Sequence, residues 1–77
     1  MVMHSDNIFN CVMLIDDDSD EHTFFTSALK TYSGKILCTT AFTCLEGYNT
    51  ARDKKPDVIF LDMNLPRYEW IRMLKEI

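Results

Sequence analysis

Three aspartates stand directly behind apolar runs, and they are the residues of this chain best suited to chemistry. Asp62 follows the run 58–61, and Asp16 and Asp17 follow the run 11–15. Unbroken apolar runs of this length are typical of strands buried on both faces of a parallel sheet, whose carboxyl ends meet at one edge. If the two strands are neighbours, the three carboxylates converge and raise one another's pKa unless a cation neutralises them. The pattern therefore predicts a site for Mg²⁺, a hard cation that takes oxygen ligands and keeps several waters.

The acidic segment 16–21 has two other interpretations. It can simply be the solvated start of a helix, where carboxylates are favourable. Its aspartates also match the first, third and fifth positions of an EF-hand calcium loop. That loop needs glycine at the sixth position and glutamate at the twelfth, but Glu21 and Ser27 stand there. The calcium interpretation is therefore disfavoured, while the helix-start interpretation stays open for this segment taken alone.

The strand that ends at Asp62 also allows two enzymatic interpretations. Four apolar residues and an acid resemble a Walker B strand, but Gly34 and Gly47 are the chain's only glycines and no phosphate-binding loop can be built from them. An HAD-type phosphatase needs a second aspartate two residues after the nucleophile, and Asn64 stands at that position. Both enzymatic interpretations are therefore disfavoured.

Taken together, the two acid-ended segments resemble the receiver domain of response regulators, the phospho-accepting module of two-component signalling. The resemblance rests on residues 14–17 (LIDD), on residues 59–66 (IFLDMNLP) and on the family-like separation of the two. It covers the chain from about residue 11 to residue 77. It implies a flavodoxin-like, doubly wound α/β fold whose parallel strands lie in the order 2-1-3.

The resemblance also implies a role for each residue of the site. Asp62 would be the phosphorylated aspartate, with a sensor histidine kinase as the partner that supplies the phosphoryl group. Asp17 would bind Mg²⁺ directly, Asp16 would bind it through water, and Asp62 and the backbone carbonyl of Asn64 would complete the metal site. Such a module is a phosphoacceptor rather than an enzyme.

Two features depart from the family pattern. The family has five strands, and the hydroxyl residue closing the fourth and the lysine closing the fifth have no counterpart among these 77 residues. The sequence is thus expected to be a single truncated receiver domain, 1–77, in which phosphoryl transfer to Asp62 is weakened. In addition, Trp70 stands where the family usually has glycine. We expect its indole to be either a core residue or part of a surface that another chain covers.

Hydrophobic periodicity predicts the order β-α-β-α-β-α behind a loose leader, 1–9. The first helix is expected to begin at a cap on Ser19 or Asp20 and to stop at Gly34. Thr43 and Glu46 have the spacing of a capping box for the second helix. Two apolar stripes are expected to mark the inward faces of these helices: Phe24, Phe25, Ala28, Leu29 and Tyr32 in the first, and Leu45, Tyr48 and Ala51 in the second.

Composition excludes several classes of function. Twelve acidic against eight basic residues, with the bases scattered, disfavour a nucleic-acid-binding face. There is neither a membrane-spanning apolar run nor a signal peptide, so a cytoplasmic location is expected. The three cysteines lack a C-x-x-C spacing and are expected to be reduced core residues. His4 and His22 have no companion at metal-ligand spacing and are expected to be exposed.

The third strand predicts self-association. It is the most apolar segment of the chain, and in the expected topology one of its edges has no partner, which favours pairing with another strand. A homodimer joined through antiparallel third strands is the simplest closed assembly. This leaves two alternatives to signalling: a non-catalytic assembly module that works by self-association, or a truncated piece without a function of its own.

Overall fold

The computed structural model describes residues 10–76. The elements are β1 (Cys11–Ile15), α1 (Ser19–Tyr32), β2 (Leu37–Ala41), α2 (Cys44–Lys54), β3 (Val58–Leu61) and α3 (Arg67–Glu76). This order confirms the predicted alternation of strands and helices. The predicted leader 1–9 and His4 within it lie outside the described residues. No helix in the described part is both long and apolar enough to cross a membrane.

The three strands form one parallel sheet in the order β2-β1-β3. This is the order that was predicted, and residues 10–76 form a three-stranded, flavodoxin-like α/β arrangement. In the register, Ile15 lies opposite Ala41 on one side and Leu61 on the other. The three strands therefore end side by side, so the residue that follows each strand emerges at the same edge of the sheet.

Burial differs between the two strands that were expected to be alike. All five residues of β1 are buried, whereas all four residues of β3 are only half-buried. The expectation that the third strand is buried on both faces is therefore wrong for the described part of the chain. The cause is position: β1 is flanked by strands on both sides, while β3 pairs with β1 alone among residues 10–76.

The main core lies on the face of the sheet that α2 and α3 cover. Its buried members are Met13, Ile15, Ala41, Cys44, Ala51, Leu65 and Met73, and Tyr48, Ile59, Leu61 and Trp70 pack against them. Trp70 is thus half-buried against the core, which supports the first of its two interpretations. The three cysteines are free, as predicted: Cys11 and Cys44 are buried and Cys38 is half-buried.

The opposite face of the sheet is covered by α1, and less completely. Phe25 packs edge-on against Phe60 with ring centroids 5.0 Å apart. Phe24 and Tyr32 are instead 72% and 70% exposed, and the one buried residue of α1 is His22. The predicted apolar stripe is therefore right for Phe25 and for Leu29, which is also half-buried. It is wrong for Phe24, Ala28 and Tyr32, which are exposed, because only a narrow side of the helix contacts the sheet.

The capping predictions are partly confirmed. The Thr43 hydroxyl accepts from the Glu46 N–H at 3.1 Å, as expected for the N-terminus of α2. The cap of α1 is Asp18 rather than the predicted Ser19 or Asp20, and its carboxylate accepts from the Asp20 N–H at 2.9 Å. At the other end of α1, Ser33 rather than Gly34 is the C-cap, in an extended conformation that needs no glycine.

A carboxylate far from the candidate site ties the amino ends of β1 and β3 together. Asp57 Oδ2 accepts from the N–H of Asn10 at 2.8 Å and from the N–H of Cys11 at 2.9 Å. These hydrogen bonds lower the pKa of the Asp57 carboxyl. The group therefore stabilises the fold at neutral pH, and its contribution is lost as the pH falls through that lowered pKa.

The packing of α2 on β1 depends on a glycine. The buried side of α2 carries Cys44, Gly47 and Ala51, whereas Leu45 is 72% exposed, so the expected inward position of Leu45 is wrong. A Cβ atom at Gly47 would lie 2.9 Å from Ile15 Cγ1 and closer still to its Cδ1. Glycine, a weak helix former, is needed here because the helix backbone lies directly on the Ile15 side chain.

We expect Gly47→Ala to lower the free energy of unfolding by about 1–3 kcal/mol, because the added methyl group overpacks the contact with Ile15. Urea denaturation followed by circular dichroism measures this loss. Gly34→Ala is the matched control, since nothing lies within 4 Å of a Cβ at that position and its φ is not positive. Equal stability of the two variants would contradict the close approach of α2 to β1.

Candidate metal centre at the carboxyl edge of the sheet

The sheet geometry brings the predicted carboxylates together. The Asp16 N–H donates to the Ala41 carbonyl at 3.0 Å, and the Asp62 N–H donates to the Ile15 carbonyl at 3.0 Å. Both backbones are therefore anchored to the neighbouring strand at the point where the chain leaves the sheet. Carboxylate oxygens of Asp16, Asp17 and Asp62 all lie within 4.8 Å of one another. The convergence that was expected from adjacent parallel strands is present.

The three carboxylates differ in exposure. Asp16 is 9% exposed, Asp62 is half-buried and Asp17 is exposed. Burial raises the pKa of the Asp16 carboxyl. A hydrogen bond from the Asp18 N–H lowers it in part, and the neighbouring charges of Asp62 and Asp17 raise it further. The groups that act on Asp16 within residues 10–76 are thus neutral or negative, which is the situation that a bound cation relieves.

Short turns fix the direction of two of these side chains. The Asp18 N–H donates to Asp16 Oδ1 at 3.0 Å, and the Asn64 N–H donates to Asp62 Oδ1 at 2.9 Å. The turn after β3 is closed by a further bond from the Leu65 N–H to the Asp62 carbonyl at 3.2 Å, and Leu65 is buried in the core. Asn64 is therefore held beside Asp62, while the role of its carbonyl as a metal ligand stays a prediction.

The arrangement fits a magnesium ion. Ligand oxygens lie about 2.0–2.1 Å from Mg²⁺, so two directly bound oxygens are separated by roughly 4 Å at most. A spread of up to 4.8 Å allows direct binding by some of the carboxylates and binding through water by the rest. Asp16, Asp17 and Asp62 would hold the ion, and the all-oxygen donor set is the one that this cation prefers.

One residue of this region was misjudged from the sequence. His22 was expected to be exposed, but it is 9% exposed and its Nε2 lies 2.7 Å from the Asp16 carbonyl oxygen. A signal for this was present: positions 22, 25 and 29 lie on one helical face, and Phe25 and Leu29 are the half-buried residues of that face. His22 was judged only by its spacing from other metal ligands, and it was left out of the apolar stripe of α1 although it shares a helical face with Phe25 and Leu29.

Two bacterial regulatory proteins are similar in sequence to this chain. The chain is 32% identical over 66 residues to the probable C4-dicarboxylate response regulator DctR of Bacillus subtilis (strain 168), an alignment that covers 86% of the chain and 29% of DctR. It is 29% identical over 70 residues to the transcriptional regulatory protein YxdJ of the same organism, covering 87% of the chain and 30% of YxdJ. The chain thus spans less than a third of each relative. No protein-family model and no solved structure matches it.

We expect Asp16→Asn to unfold at a higher temperature than the wild-type protein at pH 7 in the presence of a chelator. Asparagine keeps the oxygen that accepts from the Asp18 N–H, but it carries no charge in the acidic cluster. Because the pKa of Asp16 is raised in the folded state, wild-type stability falls as the pH rises through that raised pKa. The advantage of the variant therefore shrinks as the pH is lowered toward about 4.

Thermal denaturation between about pH 4 and pH 8 tests this expectation. Asp53→Asn serves as the control, because it removes an exposed carboxylate of α2 outside the cluster. If Asp16→Asn is no more stable than Asp53→Asn at neutral pH, the carboxylates do not repel one another as described.

Proposed function

Because this chain is a homologue of response regulators and matches the N-terminal, receiver portion of such proteins, we propose that Asp62 accepts a phosphoryl group beside a Mg²⁺ site. The observation that carries this proposal is the cluster of Asp16, Asp17 and Asp62 at the carboxyl ends of adjacent parallel strands. Ligands of open α/β sheets bind at such an edge. The relatives make the two-component system the context in which this edge is used.

Asp62 is arranged to act as the nucleophile. Its Oδ1 accepts a hydrogen bond from the Asn64 N–H, which orients the carboxylate, and the residue is only half-buried. Oδ2 attacks the phosphorus atom of a phosphorylated imidazole or another phosphoramidate. The P–N bond breaks, its electron pair leaves with the nitrogen, which takes up a proton, and an acyl phosphate forms on Asp62.

Asp16 and Asp17 divide the work of holding the metal according to their exposure. Asp17 is exposed and would bind Mg²⁺ directly, whereas Asp16 is buried, is already held by the Asp18 N–H and would bind it through water. The backbone carbonyl of Asn64 would add a further oxygen ligand. When bound, Mg²⁺ offsets the negative charge of the carboxylates and of the transferring phosphoryl oxygens. A sensor histidine kinase is the physiological donor in this proposal. The chain acts in the cytoplasm as the phosphoacceptor rather than as an enzyme.

Titration with Mg²⁺ or Mn²⁺ is expected to raise the melting temperature of the wild-type protein, since a ligand that binds only the folded state stabilises it. Asp17→Ala should abolish the increase, and Asp20→Asn, which removes a nearby exposed carboxylate outside the cluster, should retain it. With a phosphoramidate donor and Mg²⁺, mass spectrometry should detect phosphorylation that is lost in Asp62→Asn. A metal-independent melting curve together with no label on Asp62 would contradict the proposal.

A second proposal concerns self-association. The edge of β3 that faces away from β1 has no strand partner among residues 10–76, and residues 58–61 carry no charge that would oppose the addition of a strand. We propose that a second copy pairs with this edge in antiparallel orientation, giving a symmetric dimer with a continuous sheet. This would serve as a non-catalytic assembly function if Asp62 is not phosphorylated.

Light scattering over a dilution series is expected to show a dimer, because pairing satisfies the free backbone groups of β3. Val58→Lys should weaken the dimer, because a charged side chain on an edge strand opposes the addition of another strand. Leu37→Lys, a change of an exposed residue on the strand at the opposite edge of the sheet, should not. A well-folded species of 9.0 kDa at all concentrations would rule the dimer out.

A further inference from the structure

The acidic edge of the sheet is backed by a buried histidine. His22, in the first turns of α1, is 9% exposed and its Nε2 lies 2.7 Å from the carbonyl oxygen of Asp16. A carbonyl oxygen can only accept a hydrogen bond, so Nε2 carries the hydrogen and donates it. The imidazole is thus hydrogen-bonded to the backbone of the acid pair rather than to its carboxylates.

The ring of His22 is held in place by a second contact. It stacks on the ring of Phe42, with centroids 4.2 Å apart and planes inclined by 17°. Phe42 directly follows β2, so its ring lies at the same edge of the sheet as Asp16. The backbone N–H of His22 also donates to the Asp18 carbonyl at 3.3 Å. These contacts link α1, the end of β2 and the segment that carries the acid pair.

The hydrogen bond from His22 affects Asp17 because of where its acceptor, the Asp16 carbonyl oxygen, lies in the chain. The Asp16 carbonyl belongs to the peptide group that joins Asp16 to Asp17, and this group is planar. A donor that fixes the carbonyl therefore fixes the plane from which the Asp17 side chain projects. Two other polar groups of Asp16 are held by separate bonds: its N–H donates to the Ala41 carbonyl, and its Oδ1 accepts from the Asp18 N–H. The bond from His22 holds the Asp16 carbonyl, and with it the plane of the peptide group that leads to Asp17.

We propose that His22 is a positioning residue of the acidic cluster: it holds the Asp16–Asp17 peptide in the orientation in which both carboxylates meet Asp62. This inference rests on the proposed metal-binding function. His22 does not touch the metal itself. It acts through the backbone, in the way that outer partners orient the direct ligands of metal sites. A buried histidine that only fills space against Phe42 would have no such effect.

Two substitutions separate the hydrogen bond from the packing. His22→Phe keeps an aromatic ring to stack on Phe42 but removes the donor. His22→Gln removes the ring but keeps an N–H at a comparable distance from the backbone. We expect the apparent Kd for Mn²⁺ or Mg²⁺, measured by calorimetric titration, to rise about tenfold or more in His22→Phe and to return close to the wild-type value in His22→Gln. Thr23→Val, on the exposed side of the same helix, should leave affinity unchanged.

A metal-free measurement accompanies the titration. In ¹⁵N-resolved NMR spectra without metal, the amide signals of Asp17 and Asp18 should shift in His22→Phe and stay near their wild-type positions in His22→Gln. The ring nitrogen signals of wild-type His22 should be those of a protonated Nε2 that exchanges slowly with water. These signals report the peptide orientation whether or not a metal binds.

The outcomes distinguish the two claims. If the wild-type protein binds no divalent cation, the proposed function fails, and the amide signals alone decide whether His22 orients the peptide. If the wild-type protein binds metal and His22→Phe binds it equally well, the positioning role is overturned. It is also overturned if His22→Phe and His22→Gln lose metal affinity in proportion to their loss of thermal stability. The loss of affinity would then come from weaker packing of the protein and not from the missing hydrogen bond.

Discussion

The parallel pairing of β1 with β3 is the constraint on which the candidate site depends. Ile15 lies opposite Leu61, and the next residue of each strand is an aspartate. Ladder hydrogen bonds extend to these residues, so Asp16 and Asp62 are fixed by the same interactions that hold the sheet together. A slip of the register by one residue would move one carboxylate along the edge and turn the side chains of that strand to the opposite face.

Bringing carboxylates together has an electrostatic cost, and no basic side chain among residues 10–76 offsets it at Asp16. The cost is met in part by backbone N–H groups, since Asp18 and Asn64 each donate to one carboxylate of the cluster. Such bonds stabilise the charged form of the acceptor. Burial of Asp16, together with the charges of Asp62 and Asp17, still raises the pKa of its carboxyl, so the ionised group opposes folding at neutral pH and favours the binding of a cation.

The two faces of the sheet contribute differently to this arrangement. On one face, α2 lies close to β1 because Gly47 admits the Ile15 side chain, and this contact supports the strand immediately before Asp16. On the other face, α1 buries little apolar surface but carries His22 beneath the acid pair. The crossover helix between β1 and β2 thus both connects the strands and contacts the backbone of the site.

The sequence by itself determined the order of the elements, the bounds of β1, and the identity of the three aspartates. An apolar run followed by an acid is a local pattern that can be read from the sequence. In a parallel sheet the carboxyl ends of neighbouring strands lie at one edge, so the acids come together there whatever the details of side-chain packing. The Thr43 cap was predictable for the same reason, since its donor lies only three residues away.

Only the tertiary structure decided which side chains are buried between elements. Leu45 is exposed and Cys44 is buried because the rotation of α2 is set by the close contact of Gly47 with β1, not by the apolar pattern of the helix. His22 is buried because its ring stacks on Phe42, which follows β2, and bonds to the Asp16 carbonyl, which follows β1. Contacts of this kind join residues from different elements, and helical periodicity contains no information about which neighbour a given face will meet.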